Sequence, residues 1–274
     1  MTEAEAVQPL LWERQGPIGV LTLNRPERLN ALDHGLVHAL LDFFAARMTD
    51  YTTRVIIVTG AGRAFCAGLD LKARGKQGAW HEGVGPVQDA YAFQEAIAEV
   101  IVRMRRCPQP LIAAVNGAAA GGGFSIALAC DIRFGSPAAR FACSFLNLGL
   151  GGGDMGSSYF LPRLAGAAHA ADLLYSGRIV EAEEAFAMGL LNRIVPAEEL
   201  LDVCLAQARG MVERASPLGL RLTKEVLNET VAGISLETAL KLENRNQILA
   251  AQTADATEAA RAWLERRAPL WRDA

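Results

Sequence analysis

The chemistry this sequence can support is concentrated in two glycine-bearing turns, residues 60–71 (GAGRAFCAGLDL) and 116–124 (NGAAAGGGF). In the second, Gly121, Gly122 and Gly123 run into an apolar segment of helical character, Phe124 to Ala129. Backbone amides at such a helix start have no intrahelical acceptor and face whatever sits before them, so they can hold an anion or an oxyanion. Glycines that only permit tight turns and close packing would look the same in either turn taken alone. Three further patterns offer chemistry by their letters. Gly123-Phe-Ser125-Ile-Ala127 approaches a nucleophile elbow, but its last glycine is missing and no histidine follows in a recognisable setting; Ser125 reads as a hydrogen-bonding residue. Gly151, Gly153 and Gly156 have dinucleotide spacing yet follow no clear buried strand. His34 and His38 share a helix face at metal-ligand spacing without the glutamate of a zinc-protease helix, so they read as a surface pair and no metal is expected.

The elements that must position these turns are legible from periodicity. Ile18 to Asn24 reads as a strand stopped by Pro26, and Asp33 as the cap of a helix with Leu36, Val37, Leu40, Leu41, Phe44 and Met48 along one stripe. Residues 54–59 (RVIIVT), Leu111 to Val115 and Cys130 to Phe134 read as short strands covered on both faces. Strands alternating with helices give an α/β class with parallel crossovers and leave the sheet order open. Lys72 to Asp89, with Trp80 and little periodicity, reads as a loop beside the site. From Pro196 the pattern is helical: Ser216-Pro217 and Ser235 start helices, and a last one opens at Thr253-Ala-Asp255, with Glu258 completing a capping box with Asp255. The expected division is an α/β core, residues 1–200, and a helical tail, residues 201–274.

Composition narrows the function classes. With 274 residues, 51% of them hydrophobic, the chain has ample material for one large core, which excludes disorder. A net charge of −3, with basic pairs only at Arg105-Arg106 and Arg266-Arg267, argues against a nucleic-acid partner. No apolar run approaches the roughly 18 residues of a membrane span. The start, MTEAEAVQPLLWERQG, is acidic and lacks the basic-then-apolar order of a targeting peptide. Five cysteines, Cys66, Cys107, Cys130, Cys143 and Cys204, form no CxxC pair, as expected of reduced thiols in a cytoplasmic protein.

Residues 61–71 (AGRAFCAGLDL) and 113–124 (AAVNGAAAGGGF) resemble the two signature segments of the crotonase superfamily, the enoyl-CoA hydratase/isomerase family, and Asn24 to Leu32 (NRPERLNAL) resembles its N-terminal signature. The likeness continues through Asp131, Gly177-Arg178, Glu183 to Ala185, Gly189-Leu190, Val195 and the closing segment Trp263 to Arg267. It implies a ClpP/crotonase-like spiral of ββα units with a C-terminal helical subdomain that makes a homotrimer or a dimer of trimers. It also implies an acyl-CoA substrate, coenzyme A being part of that substrate and no separate cofactor being needed. By the same resemblance the oxyanion donors fall on the amides of Leu69, directly after Gly68, and of Gly122, with Gly121 beside it. Arg28 falls near the coenzyme A phosphates, Arg25 being a second candidate, and Leu29, Cys66, Ala67, Asp70 and Leu71 fall along the ligand. Asp70 on its own reads as a turn residue. Among Trp80, Phe93, Phe124, Phe145 and Tyr159, the expectation places Phe124 and Phe145 against the acyl group, because they flank the matched segments.

The sequence departs from the hydratase pattern where hydration needs two glutamates: those positions read Ser125 and Phe145. One carboxylate remains nearby, Asp154, eight residues before Pro162 and ahead of a Ser-Ser-Tyr run, which resembles the catalytic acid position of the Δ3,Δ2-enoyl-CoA isomerases. The dienoyl-CoA isomerases and chlorobenzoyl-CoA dehalogenases also place an Asp there, but the dehalogenase histidine position reads Ala98. The implied reaction is a double-bond shift with Asp154 as acid and base, or a related hydration. A thioester or C–C hydrolase and a non-catalytic acyl-CoA binder are the alternatives. A free aspartic acid, with a pKa of about 3.9, is a feeble base near neutrality, so the role calls for an apolar setting. A plain structural role for Asp154 would be to cap a helix starting near Met155.

Overall fold

The computed structural model describes residues 8–73 and 77–272; the first seven residues of the acidic start, and 74–76 of the expected loop, lie outside the described residues. β1 (Leu10–Gln15) and β2 (Ile18–Leu23) form an antiparallel hairpin, and helix α1 (His34–Arg47) carries the chain across to β3 (Val55–Gly60), parallel to β2. One unit then recurs, in which a buried strand of a large sheet leads to a short strand of a small sheet and on to a helix. β3, β4 (Ala64–Cys66) and α2 (Pro86–Arg106) form the first such unit. β5 (Leu111–Val115), β6 (Ala118–Ala120) and α3 (Gly122–Ala129) form the second. β7 (Ile132–Gly135) and β8 (Arg140–Ala142) begin a third, followed after an irregular stretch by α4 (Ser157–Leu164) and α5 (Ala167–Ser176). β9 (Ile179–Glu181), α6 (Ala182–Ala187) and β10 (Arg193–Ile194) complete the sheets, ordered β1-β2-β3-β5-β7-β10 and β4-β6-β8-β9. This is the ββα spiral that the resemblance implied.

The strand sequences explain the layering. Along β3 and β5 successive side chains point to opposite faces, and both faces are apolar. Ile56, Val58, Leu111, Ala113 and Val115 enter the core under α1, α2 and α3, with Leu36, Phe44, Val100, Met104 and Ile126. Val55, Ile57, Ile112 and Ala114 meet Cys204, Leu205 and Ala208 of α7 (Leu200–Arg214) on the opposite face. α1 begins where expected, Asp33 accepting the Leu36 amide at 2.9 Å. Leu36, Val37, Leu40 and Phe44 are buried, whereas Met48 ends the stripe in solvent. No helix among the described residues is long and apolar enough to cross a membrane. All five cysteines are buried and unpaired.

Strand ends shift by a residue or two from the sequence reading, and three boundaries differ for a definite physical reason. The strand expected from Cys130 starts at Ile132, because Cys130 itself terminates α3. The expected loop ends at Gly85, since Pro86 occupies the first helical position of α2 and the buried stripe Ile97, Val100, Ile101 and Met104 follows. Ser216 and Ser235 cap α8 (Pro217–Ala232) and α9 (Leu236–Ala251) as expected, but α10 (Ala254–Leu264) is capped by Thr253. Asp255 instead accepts the Arg272 amide, and Glu258 binds Arg261 and Arg267, so the capping box does not form.

α8 is joined to the core by charge. Lys224 is almost fully buried; its Nζ lies 3.0 Å from Asp131 Oδ2 and donates to the carbonyl of Gln109 at 2.8 Å. Arg105 reaches the other oxygen of Asp131 at 2.9 Å. Burial pushes the Asp131 carboxyl upward, but Lys224 and Arg105 outweigh it and hold the group below the ordinary carboxylate range. A carboxylate depressed in this way stabilises the fold fully above its unfolded pKa of about 3.9, and the stabilisation is lost as pH falls through the lower folded value. Asp131→Asn leaves Lys224 buried without its counterion and is expected to cost about 3 kcal/mol at neutral pH. Urea denaturation at neutral pH and below about pH 4 checks both parts: the deficit of the variant should shrink in acid. A constant deficit would mean that the loss comes from packing.

Candidate active site

β4 and β6 run parallel, Ala64 opposite Ala118 and Cys66 opposite Ala119, so the turns that follow them leave the small sheet at the same end. The two turns touch. Gly68 has φ +86°, and a β-carbon there would lie 2.6 Å from the Ala120 carbonyl oxygen and 3.4 Å from the Gly122 nitrogen. At Gly123 a β-carbon would fall 2.0 Å from the Cys66 carbonyl oxygen, so only glycine lets α3 start against β4.

This contact brings two spare amides together. Leu32 and Leu69 form an isolated parallel bridge, in which the Leu32 amide donates to Gly68 and the Asp70 amide to Leu32, at 2.7 and 2.9 Å. The Leu69 amide faces away from that bridge. The amide of Gly122, the first residue of α3, has no intrahelical acceptor. Neither amide has an acceptor among the described residues, whereas the neighbouring Gly121 amide is held by the Ala142 carbonyl at 2.9 Å.

The amides border a cavity of about 240 Å³. Of the expected residues, Ala67, Gly68, Leu69, Leu71, Gly121, Gly122, Phe145 and Asp154 line it. Leu32, Ile97, Leu148, Leu150 and Met155 complete an apolar wall in which Asp154 is the one titratable group among the described lining residues. Asp154 is half-buried. Its Oδ1 accepts from Gln94 Nε2 at 2.6 Å and from the Met155 amide at 2.7 Å, while Oδ2 has no partner among the described residues. The Asp154 main chain is fixed as well: its carbonyl accepts from the Ser157 amide at 2.9 Å and the Ser125 hydroxyl at 3.1 Å, and its amide donates to Ser157 Oγ at 3.1 Å. Met155 (φ +46°) and Gly156 (φ +82°) then turn the chain into α4 through two left-handed residues. For Met155 that conformation is strained, the kind of cost found where a neighbouring side chain must be aimed. Gly156, and not Asp154, occupies the cap position of α4.

Other expected residues lie elsewhere. Phe124 and Ser125 are fully buried and do not line the cavity. α3 is apolar and enclosed on every side, so of its residues only Gly122, the first, reaches the cavity; Phe124 packs on Phe141 with ring centres 5.1 Å apart, and Ser125 spends its hydroxyl on Asp154. Cys66 is enclosed too, and burial pushes its thiol up to about 12. Asp70 is a buried turn residue, 3.1 Å from Arg25 and accepting the amides of Lys72 and Ala73. Burial raises its carboxyl, but Arg25 and the Ala73 amide together hold it below the ordinary range. Arg25 is also paired with Asp33 at 2.8 Å and is therefore committed internally. Arg28 is exposed and makes no ion pair among the described residues. Leu29 beside it accepts the Ala67 amide at 3.0 Å, which pins the N-terminal signature against the first glycine turn. Buried Asn30 strengthens that seam by donating to the carbonyls of Ala61 and Ala64 at 2.9 and 2.8 Å.

The histidine pair serves packing: His38 stacks on Trp80 at 3.9 Å, and His34 meets Trp80 edge-on at 5.2 Å. Phe93 lines a second cavity of about 380 Å³ that shares Leu69, Gln94 and Leu150 with the first. Tyr159 lies at a separate cavity, under Arg163. Gln94 and Met155 were not legible as site residues. Gln94 stands 60 positions from Asp154 on an amphipathic helix, where a glutamine reads as a solvated face; Met155 carries no sequence signal for its backbone conformation.

Successive ββα units stacked through parallel strands of two sheets define a crotonase-type fold. The chain belongs to the enoyl-CoA hydratase/isomerase family, which it matches over residues 13–274. It is 40% identical over 257 residues to the probable enoyl-CoA hydratase EchA12 of Mycobacterium tuberculosis, covering 93% of this chain and 90% of that protein. It is 38% identical over 250 residues to the 1,2-epoxyphenylacetyl-CoA isomerase of Escherichia coli, covering 91% and 92%. Among solved structures, a probable enoyl-CoA hydratase/isomerase from Mycobacterium abscessus superposes with a TM-score of 0.88 at 36% identity, over 97% of this chain and 99% of that one.

Proposed function

We propose that this protein isomerises an acyl-CoA thioester by moving a proton along the acyl group, with Asp154 as the shuttle and the amides of Leu69 and Gly122 holding the thioester oxygen. The observation that carries this reading is the meeting of two unengaged amides at a cavity whose one titratable group among the described residues is Asp154. The Asp154 carboxylate takes a proton from the acyl chain, and the electron pair of that C–H bond delocalises onto the thioester oxygen. The two amides stabilise that charge without reorganising. In an enoyl thioester the result is a dienolate; neutral Asp154 then gives the proton to its far carbon, the terminal C=C pair forming the new C–H bond while the oxygen charge re-forms the carbonyl and the C=C settles one position along, so atoms and charge balance over one cycle.

A double-bond shift needs one carboxylate, whereas hydration in this family uses two. Phe145 lines the cavity at one of those positions, and buried Ser125 stands at the other, which favours isomerisation. The isomerase relative supports the same class, and its name extends the candidate substrates to short aryl thioesters. Exposed Arg28, beside the first turn, is the residue for coenzyme A phosphates. The exposed apolar residues of α8 to α10, among them Leu236, Ile248 and Trp263, support packing against further copies as a trimer or dimer of trimers.

The test is a panel of 2-hexenoyl-CoA, 3-hexenoyl-CoA, phenylacetyl-CoA and its ring epoxide, incubated in heavy water and followed by mass spectrometry. Deuterium exchange with a shifted double bond, or a rearranged epoxide of unchanged formula, is the expected result. Addition of water would restore the hydratase reading, free coenzyme A would point to a hydrolase, and binding without exchange would leave a non-catalytic acyl-CoA binder.

A further inference from the structure

We infer that Gln94 is a positioning residue for Asp154, fixing which carboxylate oxygen carries the proton; this rests on the function proposed above. Gln94 sits on α2, 60 residues from Asp154, and its Nε2 donates to Oδ1 at 2.6 Å. The Met155 amide donates to the same oxygen at 2.7 Å. Two donors on one oxygen occupy its lone pairs and stop the carboxylate from rotating about its Cβ–Cγ bond. Oδ2, unpartnered among the described residues, is left as the basic atom.

Other observations agree with this assignment. The Asp154 backbone is held by Ser125 and Ser157, so what remains free are the side-chain torsions, on which the Gln94 and Met155 donors act together. Gln94 and Asp154 both line the 240 Å³ cavity, which places the pair at the ligand space rather than on a remote surface. The choice of an amide also has a chemical sense. A glutamine donates at every pH and carries no charge, so it orients the carboxylate without competing for its proton. A glutamate at the same place would put two carboxylates within hydrogen-bond reach, and such a pair shares one proton.

The experiment compares the wild type with Gln94→Leu, Gln94→Glu and Asp154→Asn, using the member of the panel above that turns over fastest. Thermal melting confirms that each variant folds, and hexanoyl-CoA reports binding. The expected result is that Gln94→Leu lowers kcat about tenfold or more while KM and the hexanoyl-CoA Kd stay within about twofold, the signature of a lost transition-state contact. Gln94→Glu should move the acidic limb of the kcat/KM profile to higher pH by about one unit or more. The inference is overturned if Gln94→Leu keeps kcat within about twofold, or if Gln94→Glu leaves the acidic limb in place, while Asp154→Asn is inactive. Full activity in Asp154→Asn would instead remove the base assignment itself, and a role for Gln94 would fall with it.

Discussion

Asp154→Asn is expected to lower kcat for the best thioester about a thousandfold, with the affinity for hexanoyl-CoA changed by no more than a few-fold. General acid–base groups contribute about 10²- to 10⁴-fold, and the low end of that range does not apply because the cavity offers no second titratable group among the described residues to take over. Asparagine keeps an oxygen that can accept from Gln94 and from the Met155 amide, so the irregular stretch before α4 should keep its course. The amide cannot take up a proton, and only the chemical step is removed. Deuterium exchange into the acyl chain should vanish along with isomerisation. Exchange persisting at the wild-type rate would show that the proton goes elsewhere and would end the assignment of Asp154 as the base.

Gly68→Ala should be nearly as damaging, by a different physical route. Alanine at φ +86° costs on the order of 1–2 kcal/mol, and its β-carbon would meet the Ala120 carbonyl oxygen at 2.6 Å. That oxygen belongs to the backbone and cannot swing aside, so the two turns must separate and carry the Leu69 and Gly122 amides apart. Losing one well-placed donor of this kind costs about 10²- to 10³-fold in kcat, and that is the expected loss here. Gly122→Ala gives the contrast. Its β-carbon would meet Met155 Sδ at 2.6 Å and Leu32 Cδ1 at 2.9 Å, both far ends of side chains that can shift, and φ at Gly122 is not positive. A smaller loss is therefore expected at Gly122 than at Gly68. Steady-state kinetics with both variants at matched folded fraction would decide it, and the reverse order would argue that the turns do not meet as described.

The parts of this protein that were legible in its sequence are those in which local physics agrees with the whole. The buried strands around Ile57 and Ile112 announce themselves because both of their faces are apolar, and Asp33, Ser216 and Ser235 mark helix starts because a side-chain oxygen there satisfies an amide a few residues on. The glycine turns were conspicuous for a related reason: the close approach of Gly123 to Cys66 and the conformation of Gly68 tolerate no other residue. Where local and tertiary demands diverge, reading by residue type misleads. Ser125 and Phe124 follow directly after the amide-bearing turn and looked like ligand contacts, yet the first turn of α3 already directs them into the interior.

The sequence by itself thus determined an α/β layering, because hydrophobic periodicity and caps are properties of consecutive residues, and its glycine-bearing segments carried the resemblance to the crotonase superfamily. Only the tertiary structure decided that Gln94 reaches Asp154, that Met155 beside it adopts a left-handed backbone, and that Arg25 is already held by Asp33 and Asp70 while Arg28 stays open. The reason is geometric. A hydrogen bond across 60 residues depends on how α2 lies over the sheets, and no spacing along the chain encodes that placement.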